Sequence, residues 1–359
     1  MFRDVSYVTN GHARQTLDLY VPEKAEGSLP LLIWVHGGGW QNGSKNGCPI
    51  VRQGFLQRGY AVASINYRLS NDAVFPAQIE DCKAAIRWLR AHAKEYGLDS
   101  DRFGVWGSSA GGHLVALLGT SGDEKAFDVG AHLDVSSRVQ AVCDYYGPTD
   151  LTRMDTHATP KAVLKHNDPE SPESRLLGGP VLENREKALR ASPVTYVSTN
   201  ALPPFLIVHG DADPVVPFHQ SELLFGALQK AGASVGLHCI KGAGHGQGFG
   251  GQALEERVSR FFDRWLKTSE GKASPPEAVK TESAAIGPAG GARPERKPGQ
   301  AGEAQGGGRP TFERVRARED ADGDGRVTRA EFKGPPQFFE RLDRTGDGVL
   351  TKEDFTGGR

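Results

Sequence analysis

The sequence predicts an α/β fold in which a mostly parallel central sheet is flanked by helices, with a small helical module near the C-terminus. Three observations carry that prediction. Leu31 to Val35 and Pro204 to Val208 are unbroken apolar runs of strand length, as expected of strands covered on both faces. Ala77 to His92 places Ile79, Cys82, Ala85, Ile86 and Leu89 at helical spacing. After Lys267 the apolar periodicity stops, and acidic loops with glycines at fixed offsets follow near the end.

In chain order, Phe2 opens a strand-like start, and Leu31 to Val35 runs into His36-Gly37-Gly38-Gly39-Trp40. Tyr60 to Tyr67 is a second apolar strand, and Ala77 to His92 is the helix that follows it. Arg102 to Trp106 is aromatic and β-branched, so it reads as a strand; it enters Gly107-Ser108-Ser109-Ala110-Gly111 and then the helix-like His113 to Leu118. Cys143 and Cys239 fall in predicted core strands as buried thiols. Leu151 to Val197 is polar and holds Pro160, Pro169, Pro172 and Pro180, which makes it a lid candidate. Pro204 to Val208 leads into His209-Gly210-Asp211-Ala212-Asp213, and Ser234 to Ile240 ends at Gly242-Ala243-Gly244-His245.

A serine flanked by glycines two before and two after, between a strand and a helix, is the nucleophile elbow of an α/β-hydrolase, and Ser109 occupies it. The tight turn brings strand and helix backbones too close for larger side chains. The glycines after His36 suit an oxyanion loop, because bare backbone lets N–H groups face a carbonyl oxygen that gains negative charge. Gly38, Gly39 and Ala110 are the candidate donors. A serine nucleophile needs a neutral imidazole as base and a carboxylate to orient it. His245 and Asp213 follow Ser109 in the order that this plan requires. Asp211 is the alternative acid. His238 inside a strand and His209 at a strand end read as packed core histidines, and His113, one turn past Ser109, as a support of the elbow.

With these segments in place the chain resembles the carbohydrate-esterase and hormone-sensitive-lipase-like branch of the α/β-hydrolases, close to bacterial acetyl xylan and feruloyl esterases. The resemblance runs from about Val5 to Leu266 and includes Gly59 to Arg68, Phe75 to Asp81, Tyr146-Gly147-Pro148-Thr149-Asp150 and Ser192-Pro193. It implies a serine carboxylic ester hydrolase, working through an acyl-enzyme without a catalytic cofactor, on short-chain acyl or feruloyl esters of plant or algal polysaccharides. The long N-terminal helical cap of the hormone-sensitive lipases has no counterpart ahead of Leu31, so an open site is expected. A polar, open rim suits sugar esters, and Trp40 is either a flat surface for a sugar or aromatic ring or a packed anchor of the glycine loop. Two other readings stay open: a peptidase of the same fold, disfavoured because no propeller or gating domain accompanies it, and a non-catalytic, calcium-regulated binding protein, disfavoured because all three catalytic candidates are present.

The chain has 359 residues, 38% of them apolar, and a formal charge of -1. That length supports a large core and more than one part, and the balanced charge points away from nucleic acid. No apolar run reaches the roughly 20 residues of a membrane span, and no signal peptide is evident, so export with the signal already removed is the expectation. The four cysteines are too few for a disulfide framework, and Cys48 and Cys82 are the one pair considered for a bond. The expected division is an α/β-hydrolase catalytic domain over residues 1–267, a disordered linker over 268–310 and a calcium-binding EF-hand pair over 311–359. The linker expectation rests on its Gly, Pro, Ala, Glu, Lys and Ser content. The first loop of the pair places Asp320, Asp322, Asp324, Thr328 and Glu331 at oxygen-donor positions, with Gly325 at the turn and Arg326 at the backbone-carbonyl position. The second uses Asp343, Thr345, Asp347, Val349, Thr351 and Asp354, and its shorter Asp354 predicts weaker binding. Val327 and Leu350 are expected to pair the two loops, and the module is expected to be structural or to dock a partner.

Overall fold

The apolar runs form the strands that their composition dictates. All seven residues of β3 (Leu29–Val35) are buried, as are those of β4 (Ala61–Ile65), β6 (Ala141–Tyr145) and β7 (Phe205–Gly210). With β1 (Phe2–Ser6), β2 (Thr16–Tyr20), β5 (Leu98–Ser108), β8 (Val235–Lys241) and β9 (Ala278–Ala284) they make one sheet of order β1-β2-β4-β3-β5-β6-β7-β8-β9. The pairings β1–β2 and β2–β4 are antiparallel, and every pairing from β4–β3 to β8–β9 is parallel. This computed structural model describes residues 1–23, 27–198, 202–268, 278–284, 312–320, 324–332, 339, 342, 343, 345 and 347–355. The chain divides into two units, Met1–Gly291 and Ala292–Arg359.

Both faces of the sheet are covered by helices. On one, α2 (Ala77–Ala91), α3 (Ala110–Thr120) and α6 (His219–Lys230) pack against Leu31, Ile33, Ala63 and Val105; on the other, α1 (Pro49–Arg52) and α7 (Gln252–Leu266) pack against Leu32, Val62 and Trp106. Alternate residues of one strand therefore feed two separate cores, which is why these strands read as continuous apolar runs. The segment 151–197 also contributes to the first core: α4 (Pro172–Leu177) and α5 (Arg185–Arg190) bury Leu176, Leu177 and Ala188. Among the described residues no helix is long and apolar enough to cross a membrane.

Two expectations are corrected. Cys48 and Cys82 are both free and buried, and so are Cys143 and Cys239. Cys48 belongs to the core under α1 and Cys82 to the core under α2, so the sheet lies between them. The catalytic unit also continues past Lys267, because β9 arises inside the segment expected as linker. Its anchor is polar rather than apolar. The buried His238 of β8 bonds the Thr281 hydroxyl through Nδ1 at 2.8 Å and the Ser283 hydroxyl through Nε2 at 3.0 Å, and Lys241 meets Glu282 at 3.1 Å. The expected linker residues 269–277 and 285–310, together with Asp322, lie outside the described residues.

In the C-terminal unit α8 (Phe312–Glu319) precedes the first loop, and β10 (Val327–Thr328) pairs antiparallel with β11 (Val349–Leu350), placing Val327 opposite Leu350 as expected. Val315, Val327, Phe332, Phe339 and Leu350 form its small core. The helix α9 (Lys352–Phe355) follows β11.

Candidate active site

The site forms where β3, β5, β7 and β8 end. Ser109 lies between β5 and α3 at φ 56°, ψ -123°, a conformation that L-residues rarely adopt and that costs about 1–3 kcal/mol. The glycines around it make the turn possible. A Cβ at Gly107 would meet the Gly111 backbone, and one at Gly111 would run into the Val35 carbonyl and come within 2.7 Å of the His36 oxygen. At Gly37 it would lie 2.6 Å from the Ser108 carbonyl. Loop and elbow thus touch backbone to backbone, and only glycine permits the approach.

The loop after β8 brings His245 Nε2 to 3.0 Å from Ser109 Oγ, and the loop after β7 brings Asp213 Oδ2 to 2.7 Å from His245 Nδ1. A carboxylate only accepts, so Nδ1 carries the proton and Nε2 is left to accept from the serine hydroxyl. Asp213 is buried; its Oδ1 accepts from Val215 N at 2.8 Å and Val216 N at 3.0 Å. Burial pushes its carboxyl up, but the bonds from His209 and His245 more than offset this and hold it well below the usual carboxylate range. Asp211 is not brought to His245: its Oδ1 accepts from Gly242 N at 2.6 Å and its Oδ2 lies 3.3 Å from Lys241.

The other predicted residues are placed as follows. Gly38 and Gly39 sit on the loop after β3 at φ 112° and 59°, and Ala110 is the first residue of α3, where an N–H has no acceptor within the helix. All three line one open cavity of about 470 Å³ together with Ser109, Tyr146 and His245. Trp40 does not offer its ring to a substrate. It is 1% exposed, stands edge-on to His113 and donates from Nε1 to His113 Nδ1 at 3.2 Å. His113 in turn donates from Nε2 to the Ala191 carbonyl at 2.6 Å, and burial pushes its imidazole down to about 4, so it stays neutral. Trp40 is thus the packed anchor, and the substrate-platform expectation is set aside. The buried His36 stacks on Tyr67 at 4.4 Å and completes the support of the loop.

Three residues were not assigned to the site by sequence reasoning. Tyr146 follows β6 at φ 45° and packs edge-on against His245 at 4.7 Å. Glu173, on the segment 151–197, lines the cavity and pairs with the buried His166 at 3.0 Å. His209, read as a core histidine, is fully buried but also bonds Asp213. Their signal was present only as polar residues within or beside apolar segments.

In the C-terminal unit, Gly325 and Gly348 take φ 86° and 80°, and their N–H groups donate to Asp320 Oδ2 at 3.1 Å and Asp343 Oδ2 at 2.9 Å. Glu331 Oε2 accepts from Thr328 N at 2.8 Å, and Asp354 Oδ1 from Thr345 N at 3.0 Å. Arg326 N and Val349 N donate to Asp324 and Asp347. Both loops therefore curl onto their own carboxylates. Among the described residues no three His, Cys, Asp or Glu side chains converge as a metal-binding group.

Known esterases are similar to this chain. The chain is 36% identical over 235 residues to esterase LipQ and 34% over 222 residues to the probable carboxylic ester hydrolase LipM, both of Mycobacterium tuberculosis; the matches cover 64% and 61% of this chain, and 53% and 49% of those proteins. It thus spans about half the length of these curated relatives. Among solved structures, a truncated carbohydrate esterase from gut microbiota matches with TM-score 0.66 at 32% identity, covering 74% of this chain and 96% of that one. A bifunctional GH43-CE protein of Bacteroides eggerthii matches with TM-score 0.68 at 35% identity, covering 74% of this chain and 35% of that one. The mostly parallel, helix-flanked sheet is the α/β-hydrolase fold, and residues 17–228 match the BD-FAE family. The chain belongs to the BD-FAE family.

Proposed function

We propose that the catalytic unit is a serine carboxylic ester hydrolase. The observation that carries this reading is the pair of contacts at the elbow, 3.0 Å from Ser109 to His245 and 2.7 Å from His245 to Asp213. Ser109 Oγ attacks the ester carbonyl carbon while its proton passes to His245 Nε2. The N–H groups of Gly38, Gly39 and Ala110 face the resulting oxyanion. His245 then gives the proton to the departing alkoxide, and an acyl-serine ester remains. Water, deprotonated by the same imidazole, attacks that ester, and the carboxylic acid leaves as the serine is restored.

The substrates we propose are short-chain acyl or feruloyl esters of plant or algal polysaccharides. The open cavity and the neighbours described as carbohydrate esterases support this, as does an acetyl ester-xyloside bifunctional hydrolase of Caldicellulosiruptor lactoaceticus at 28% identity. A polymeric substrate also implies export from the cell. Across 4-nitrophenyl esters, kcat/KM is expected to peak between acetyl and butyryl and to fall for chains of eight carbons or more. A maximum at decanoate would replace this reading with a lipase.

We further propose that the C-terminal loops are an EF-hand pair that binds calcium, as a structural or docking module. The carboxylate-rich donor sets and positive-φ turn glycines support this, since a hard cation takes six to eight oxygens and the twelfth-position Glu331 can supply two. Asp320, Asp322, Asp324, Glu331 and the Arg326 carbonyl would hold one ion. Asp343, Thr345, Asp347, Asp354 and the Val349 carbonyl would hold a second, more weakly. Calorimetry of the full chain should show two classes of Ca²⁺ site, the tighter one lost in Glu331→Gln. Absence of heat at millimolar Ca²⁺ would mean that the loops are acidic surface, and chelator should leave turnover of small soluble esters unchanged.

A further inference from the structure

We infer that His209 is a positioning residue for the acid of the site, one end of a relay that runs from Ser221 through His209, Asp213 and His245 to Ser109. The inference rests on the serine-hydrolase reading above. His209 ends β7 with no exposed surface. Its Nε2 lies 3.2 Å from Asp213 Oδ2 and 3.0 Å from the Val216 carbonyl, two groups that only accept, so Nε2 carries a proton. Its Nδ1 lies 2.7 Å from Ser221 Oγ on α6, which fixes the ring from behind. The ring thus clamps both ends of the acid loop, holding Val216 by its carbonyl and Asp213 by the same oxygen that receives His245.

Sharing that oxygen has a chemical consequence. Each donor on Asp213 Oδ2 lowers the basicity of the carboxylate toward the other. With His209 in place, Asp213 orients His245 without binding its imidazolium form as tightly as a carboxylate with a single imidazole partner would. The ionisable groups facing this relay are few. From the end of β6, Tyr146 packs against His245, and behind it stands the buried Asp144, pushed up to about 7 by burial. His166, paired with Glu173, lies toward Val215, and Asp211 is paired with Lys241 at the outer end of the loops.

Loss of the His209 donor should strengthen the hold of Asp213 on protonated His245, so activity should need a higher pH. In His209→Phe, the acid limb of the kcat/KM profile on 4-nitrophenyl acetate is expected to move up by roughly half a unit or more. Above that limb kcat should fall about tenfold, the equivalent of one charge-assisted hydrogen bond, with KM barely changed. His209→Gln, whose amide N–H reaches the position of Nε2, should return the limb most of the way; a merely structural role predicts no such rescue. Ser221→Ala, which frees the far side of the ring, should move the limb in the same direction by less, and it carries the test if His209→Phe does not fold. Ser109→Ala runs alongside. An active Ser109→Ala would overturn the reading of the site itself, whereas an inactive Ser109→Ala with an unmoved acid limb in the folded His209 or Ser221 variants would overturn this inference alone.

Discussion

Ser109→Ala is expected to lower ester turnover by roughly four to six orders of magnitude while the protein stays folded. The hydroxyl is the only group removed, and the alanine must adopt the same φ of 56° that Ser109 already bears, so the backbone changes little. His245→Ala should be comparably damaging, because the hydroxyl then has no acceptor at 3.0 Å. Asp213→Asn should follow, since an amide in place of Oδ2 cannot both accept from Nδ1 and stabilise the imidazolium. Asp211→Asn should stay within a few-fold of the parent, because its partners are Gly242 and Lys241 rather than His245. Active-site titration and kcat/KM on 4-nitrophenyl acetate check the set. Near-normal activity in Ser109→Ala would remove the acyl-enzyme from the mechanism, and a large loss at Asp211 with little at Asp213 would reassign the acid.

The second large effect is expected at Gly111. A methyl group there collides with the Val35 and His36 carbonyls, which are backbone and have no rotamer by which to move away. Gly111→Ala should therefore cost about 3 kcal/mol or more, the upper range for overpacking, and lower Tm by roughly 6–12 °C in a domain of this size. Gly226 is the matched control. It lies inside α6 with open space where its Cβ would be, so Gly226→Ala should be neutral or stabilise by up to about 1 kcal/mol. Calorimetric unfolding of both variants decides the matter: equal Tm values would mean that the elbow relaxes and that close backbone contact is not what requires glycine.

Much of the architecture was legible because period and punctuation agree. Leu31 to Val35 reads as a buried strand of a parallel sheet, and the strands that lead into the site run into glycines, so the loops that carry Ser109, Asp213 and His245 could be located by order alone. What escaped depended on partners distant in sequence. Trp40 after three glycines suits a substrate platform as well as an anchor, and the choice is made by His113, seventy-three positions away, whose Nδ1 receives the indole N–H. His209 reads correctly as buried, but burial says nothing about where Nε2 points, and only the turn through Asp213 to Val216 brings both acceptors to it. The suggested bond between Cys48 and Cys82 failed on a matter of faces, since nothing local to either residue tells which side of the sheet its element will cover. The segment from Ala278 was hidden for the opposite reason: its alternation is polar, and its pairing is secured by the Thr281 and Ser283 hydroxyls on His238.

That last strand separates two boundaries that are usually taken as one. Composition turns polar at Thr268, yet the folding unit runs on at least to Ala284. A chain cut at Lys267 would leave β8 as the outermost strand, its seven residues presenting unpaired N–H and C=O groups and the bare imidazole of His238 to solvent. An uncovered parallel strand of that length is a template for pairing with another chain. Any excision of the tail, or fusion of another domain in its place, should accordingly be made beyond Ala284, so that β9, a residue run that looks like spacer, still covers β8 and His238.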